Sequence, residues 1–177
     1  MSSLDVDTLL EALRGRRSIR RFAAEPLPPD AEEKLVTALR WAPSAGNAQP
    51  YHFVLVYDGE TKRRITLAAL SQSFIADAPL VVVACVDEGR AYQAYGKRGV
   101  LLYSLQDVAA SLQNLLLTAH ALGLGACWIG AFDEQAVGRL LALPEHVRPV
   151  ALVPIGVPAE TPAAPPRRPA DEVTSTR

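Results

Sequence analysis

Five arginines, Arg14, Arg16, Arg17, Arg20 and Arg21, fall within eight positions, with Ser18 among them. Guanidinium groups keep their charge and grip phosphate oxygens in pairs. In an extended segment Arg16, Ser18 and Arg20 face one way and Arg17 can reach round, which makes a small anion cradle. A solvated basic turn fits this stretch equally well. A DNA-binding arm is a third reading, but no recognition helix or second basic patch accompanies the cluster.

A second group of chemically useful residues lies in "RWAPSAGNAQPYHF", residues 40–53. Pro43, Ser44, Gly46, Asn47 and Pro50 are all good turn formers, so a plain turn accounts for them. Asn47 and Gln49 add side-chain amides that both donate and accept. A planar heterocycle with alternating carbonyl and imine groups needs such partners. Glycine and alanine beside them let backbone approach a ring closely.

Other chemistries lack their residues. There is no GxxxxGK[ST] phosphate loop and no GxSxG elbow. The glycines of "GLGACWIG" follow a helical pattern, whereas a dinucleotide fingerprint needs strand, turn and helix in that order. His52, His120 and His146 are scattered without metal-ligand spacing, so no metal is expected. Cys85 and Cys127 sit in apolar runs and read as buried, inert thiols. A net charge of −1 gives no global pull toward nucleic acid or an acidic membrane. No secretory pattern opens the chain, and no stretch approaches the roughly 20 apolar residues of a membrane span. The cytoplasm is the expected compartment.

The elements that must position these groups follow from periodicity. Val6, Leu9, Leu10 and Leu13 predict a first helix ended by Gly15. Leu35, Ala38, Leu39 and Ala42 predict a second, with prolines and acids before and in its first turn. Residues 51–57 read as a strand, Asp58-Gly59 as a turn, 60–70 as helix, and the continuous apolar run 78–87 as a strand covered on both faces. Residues 88–99 have weak periodicity and read as a loop or mobile cover. The longest helix carries Leu101, Leu105, Val108, Leu112, Leu115, Ala119 and Leu122, with Leu102, Ala109 and Leu116 as a second stripe, and so needs cover on more than one side. Residues 126–132 read as a short strand or extended loop, 133–144 as a helix with Asp133 as N-cap, and 148–158 as a strand whose Pro154 favours an edge or strand end. The Pro-rich last twenty residues read as disordered or as an extended arm. The alternation suggests a sheet with helices against it.

Taken together, "RRSIRRF", "APSAGNAQPYHFVLV", "LQDVAASLQNLLLTAHALGLGACWIGAF" and "VALVPIGVP…PPRRP" resemble, in that order, the nitroreductase family of flavin enzymes. The resemblance implies one α+β domain over 1–177, with a mixed, mainly antiparallel sheet flanked by helices. It implies an intertwined homodimer with an extended C-terminal arm at 158–177 and FMN at the subunit interface. It assigns Arg16, Arg17, Ser18 and Arg20 to the flavin phosphate and ribityl region. Pro43, Ser44, Ala45 and Asn47 would lie against the flavin from the other subunit, with Gln49 nearby. Ile129, Gly130 and Ala131 would pass beside the isoalloxazine, and Arg167 and Arg168 would reach the phosphate from the tail. The long helix becomes a dimer helix.

Some positions depart from the family. Gly130 stands where longer relatives carry an acid, Tyr51 replaces a common tryptophan, and 88–99 is the only obvious cover. The implied activity passes reducing equivalents from NADH or NADPH through FMN to a small acceptor such as a nitroarene or quinone, with the flavin performing the chemistry. No catalytic acid or base is assigned; Tyr92, Tyr95 and Lys97 could reach a substrate, or could simply be surface residues. A flavin enzyme for dedicated dehydrogenation or dehalogenation, and a non-catalytic FMN carrier, stay open.

Overall fold

The computed structural model describes residues 5–177, so the first four residues of the expected domain lie outside the described residues. Asp5 accepts from the N–H groups of Asp7 and Thr8 and starts α1 (Val6–Gly15). Helix α2 (Ala31–Arg40) leads through a single 3₁₀ turn at Ala45–Asn47 into β1 (Tyr51–Val56). The expected turn at Asp58-Gly59 is the start of α3 (Gly59–Ala68), because the Asp58 carboxylate accepts from the Thr61 N–H. Next come α4 (Phe74–Asp77), β2 (Leu80–Asp87), α5 (Glu88–Arg98) and a π-helical turn at Gly99–Tyr103. The chain continues through α6 (Ser104–Ala121), β3 (Gly125–Ala126), α7 (Glu134–Leu140), β4 (Val147–Gly156) and α8 (Ala170–Val173).

The sheet order is β1-β2-β4-β3, and every pair of strands is antiparallel. Among the described residues, a parallel contact enters only as an isolated bridge between Ser18 and Ala126. Strand β2 explains the layering, because its alternate side chains face opposite ways. Leu80, Val82, Ala84 and Val86 join Leu35 and Leu39 of α2 and Val108, Leu112 and Leu115 of α6. Val81, Val83 and Cys85 join Ile65 of α3, Ile75 of α4 and Val137 of α7 on the other face. The continuous apolar run of β2 thus reflects burial on both sides. Within β4, Pro149 lies where the pairing with β2 shifts register, and Pro154 lies near the strand's end, opposite Val81.

Residues 88–99 differ from the expected loop. The Asp87 carboxylate accepts from the Arg90 N–H and starts a helix that buries Ala91. The periodicity is weak because Tyr95 and Gly96 leave helical geometry, Gly96 at φ 57°, ψ −146°. The helical run Glu88–Ala121 is long and apolar enough to cross a membrane by length and composition, with mean hydropathy 1.2. Its apolar residues Val108, Leu112, Leu115 and Ala119 are spent on the core. After β4, Pro158 bridges Phe22 and the Ala159 N–H donates to Arg21, so the tail starts along the arginine segment. It then runs without strand or helix to the single turn of α8, where the sequence predicts only an extended arm.

Both cysteines are free and buried, and burial pushes the Cys85 thiol up to about 12. Burial also raises Cys127, although the nearby Arg20 charge and Ser18 hydroxyl oppose it. Neither thiol should react with an aromatic disulfide reagent at pH 8 in the native protein, and both should react in denaturant. Labelling of native Cys85 would contradict the packing of β2.

Candidate functional site

The arginine segment is held against β3. The Ile19 N–H donates to the Ala126 carbonyl (3.0 Å), and Ser18 bridges the same residue. Gly125 permits this approach, since a Cβ there would lie 2.7 Å from Ile19. Arg16, Arg17, Ser18 and Arg20 line one cavity of about 310 Å³ together with Pro162, Pro165 and Arg167 of the tail. Five of the expected phosphate-side residues therefore do meet. Arg17 Nη1 donates to the Arg14 and Arg16 carbonyls, while its Nε is buried without a partner. A buried unpaired donor costs stability. Arg168 turns elsewhere, to the Glu172 carboxylate (3.1 Å) and carbonyl. The tail is fastened by Glu160, whose carboxylate accepts from the Arg20 and Arg21 N–H groups at 2.5 and 3.1 Å.

The loop after α2 is strongly shaped. Gly46, Asn47 and Gln49 all have positive φ, at 53°, 54° and 51°. Two of these residues carry side chains, so the backbone is strained. Ser44 holds it: its carbonyl accepts from the Asn47 N–H (2.9 Å) and its hydroxyl from the Gln49 N–H (3.0 Å). Pro43, Asn47 and Gln49 are exposed, and Ser44 and Ala45 are half-buried. The Gln49 amide donates to Asn47, so the two amides stand side by side at the surface. Two side chains from other elements support the loop. Tyr95 lies against Gly46, where a Cβ would come within 2.2 Å of the Tyr95 hydroxyl. Asp107 of α6 accepts from the Ala45 N–H at 3.1 Å.

Asp107 is 7% exposed, and its second carboxylate oxygen has no partner. Burial pushes its carboxyl above the ordinary range, partly offset by the Ala45 N–H. Its folded pKa thus lies above the unfolded one. The native state gains stability from the bound proton at low pH and loses it as pH rises through that interval.

Of the remaining expected residues, Ile129 is buried and exchanges backbone hydrogen bonds with Leu152 (2.9 and 3.0 Å). Gly130 and Ala131 are exposed beyond it, and a Cβ at Gly130 would meet nothing within 4 Å. Among the described residues no hydrogen bond joins the arginine segment to the loop. The loop rests on Asp107, whereas Arg16 and Arg17 also line a 260 Å³ cavity with Leu116, His120 and Gly123. At about 1.5 Å per residue, Asp107 and His120 are about 20 Å apart along α6. Sequence reasoning missed Asp107 and Glu160, and it named Tyr95 as a possible substrate contact or surface residue without seeing that it supports the loop. Asp107 had a signal, as a carboxylate beside the apolar stripe of the longest helix. Tyr95 and Glu160 act through tertiary contacts that local patterning does not encode.

The sequence pattern of the nitroreductase family matches residues 13–157. The chain is 34% identical over 166 residues to a putative NADH dehydrogenase/NAD(P)H nitroreductase from Methanothermobacter thermautotrophicus, covering 92% of this chain and 82% of that protein. It is 31% identical over 182 residues to an FMN reductase [NAD(P)H] from Bacillus subtilis, covering 95% and 73% respectively. Its fold matches the NADPH:FMN oxidoreductase from Vibrio harveyi, solved in complex with NAD+, with TM-score 0.87 and 28% identity over 94% of this chain and 76% of that one. The chain belongs to the nitroreductase family.

Gly46→Ala should destabilise the protein by about 2 kcal/mol, from positive φ and the Tyr95 clash together. Tyr95→Phe in that background should recover part of the loss by removing the hydroxyl, and urea denaturation of the four proteins measures the coupling. Strict additivity would show that Tyr95 does not press on the loop.

Proposed function

We propose that this chain passes reducing equivalents from NADH or NADPH through FMN to a small acceptor, such as a nitroaromatic or quinone, in a site completed by a second copy. Its class is FMN-dependent NAD(P)H oxidoreductase, in keeping with the FMN reductase and NADPH:FMN oxidoreductase it resembles. The observation that carries the two-copy reading is the separation of the arginine cradle from the amide-bearing loop along α6. Taken from different chains, the two could serve opposite ends of one flat cofactor with a phosphate at its far end.

The exposed apolar surface supports such an assembly. Helix α1 has no buried residue, although Val6, Leu9, Leu10 and Leu13 lie together on it and are 37–61% exposed. Leu101 and Leu105 before and in α6, and Trp41 beside the loop, are also exposed. Covering the part of each such side chain still exposed gains a fraction of the roughly 1.5–3 kcal/mol that full burial is worth. In this reading residues 158–177 are an extended arm that first follows the chain's own arginine segment, and the whole chain is one flavin-binding domain in the cytoplasm.

Within the site, Arg16, Arg17, Ser18, Arg20 and Arg167 would hold the phosphate. Arg168 would join them once released from Glu172. Ser44, Asn47 and Gln49, with Pro43 and Ala45 shaping the loop, would present donors to the ring of the flavin held mainly by the other chain. Ile129, Gly130 and Ala131 would line its edge. When bound, FMN supplies the hydride-accepting and hydride-donating chemistry. The protein orients it and places donors where negative charge accumulates. Gly130 has no side chain to oppose that charge and leaves open space for an acceptor.

The purified protein should be yellow, should bleach with NADH or NADPH without oxygen, and should recover its colour with a nitroarene or quinone. Arg16→Ala and Asn47→Ala should each weaken FMN retention by about tenfold or more. A protein that cannot be reconstituted with FMN would overturn the reading. A yellow protein that neither cofactor bleaches would overturn the NAD(P)H step.

A further inference from the structure

One face of α6 carries polar residues at three- and four-residue spacing: the buried Ser104, Asp107 and Ser111 and the half-buried Asn114. Apolar residues would serve better if the face existed only for packing, and a buried carboxylate with one orphaned oxygen is costly. The two serines return their hydroxyls to their own helix, Ser104 to the Val100 carbonyl and Ser111 to the Asp107 carbonyl. Their small size leaves room for a close neighbour. Asp107 and Asn114 reach out to that neighbour. The Asn114 amide donates to the Ala38 carbonyl at 3.3 Å, and the Asp107 carboxylate accepts from the Ala45 N–H at 3.1 Å. Both partners belong to the segment that ends α2 and enters the loop.

The spacing matches at both ends. Asp107 and Asn114 are two helical turns apart, about 10 Å. Ala38 and Ala45 are also seven residues apart and run in the opposite direction along α6. The end of α2, Pro43 and Ser44 are therefore held between two fixed points. Ser44 in turn fixes the strained residues Asn47 and Gln49. Positive φ at these residues persists only if the surroundings over-determine it. The Ala45 hydrogen bond is the shorter of the two and holds the loop itself, whereas the Asn114 bond holds the end of α2.

We infer that Asp107 and Asn114 form a two-point clamp that sets the loop for its ligand, with Asp107 the principal positioning residue. This rests on the flavin reading for the identity of the ligand, though not for the clamp itself. Asp107 acts through the loop backbone. Preorganisation of this kind raises affinity because the loop is not ordered at the moment of binding.

The test titrates apoprotein with FMN and follows amide hydrogen exchange at Ala45 by NMR. Asp107→Ala should raise the FMN dissociation constant by about tenfold or more and speed Ala45 exchange. Asp107→Asn should keep much of both properties, because its amide oxygen can still accept from Ala45. Asn114→Ala should produce a smaller loss of affinity with Ala45 still protected. Wild-type FMN affinity in Asp107→Ala with a protected Ala45 amide would overturn the clamp. So would an Asp107→Asn variant as impaired as Asp107→Ala, because charge rather than loop position would then be at work. If Asp107→Ala does not fold, Asp107→Asn and Asn114→Ala carry the same readouts. If wild-type protein binds no FMN, the flavin reading falls, while Ala45 exchange in the apoprotein still decides the clamp.

Discussion

The packing of α6 against the sheet is the constraint from which the rest follows. Leu112 and Leu115 are fully buried beneath β2, and Leu→Ala at such sites typically costs about 2–5 kcal/mol. That apolar contact fixes where the helix lies and how it is rotated. Rotation then decides what its other faces offer. One turns Ser104, Asp107, Ser111 and Asn114 toward α2 and the loop. Leu116, His120 and the residues after the helix floor the arginine segment. Leu101 and Leu105 remain uncovered at the start. A single rigid element thus carries an anchored loop at one end, a basic cradle at the other and unsatisfied apolar surface between chain and solvent.

The loop at one end is strained, and the cradle at the other is rich in positive charge. The loop holds two non-glycine residues at positive φ beside a buried carboxylate. The cradle gathers Arg16, Arg17, Arg20 and Arg167 around one cavity and leaves Arg17 Nε without a partner. Neither feature helps the isolated chain fold. Both make physical sense if an anionic, planar ligand supplies the missing interactions, with the cradle taking its phosphate and the loop facing its ring.

Much of this was legible in the sequence. The run "APLVVVACVD" read as a two-faced strand because both of its alternating sets are apolar, and β2 is buried on both sides. The arginine alternation read equally well as an anion cradle or a solvated basic turn, and the structure gathers those side chains around one cavity. Residues 88–99 read as loop because Tyr95 and Gly96 interrupt the helical period, yet the Asp87 cap and burial of Ala91 make a helix on either side of little else. Arg168 looked equivalent to Arg167 in the sequence, but a Glu172 one turn further on captures it. Asp107 was visible only as a misfit, since a hydrogen bond from Ala45, sixty-two residues away, is not written in local pattern.

The composite site is the central claim, and complementation between two damaged chains tests it most directly. Arg16→Ala damages the cradle and Asn47→Ala damages the loop. If each site takes its cradle from one copy and its loop from the other, a mixed dimer of the two single variants contains one doubly damaged site and one intact site. Purified through two different affinity tags, that mixed dimer should hold about one FMN at wild-type affinity, while each parent dimer holds its flavin weakly. A mixed dimer with only weak sites, as in its parents, would place cradle and loop of one site on the same chain and contradict the composite arrangement.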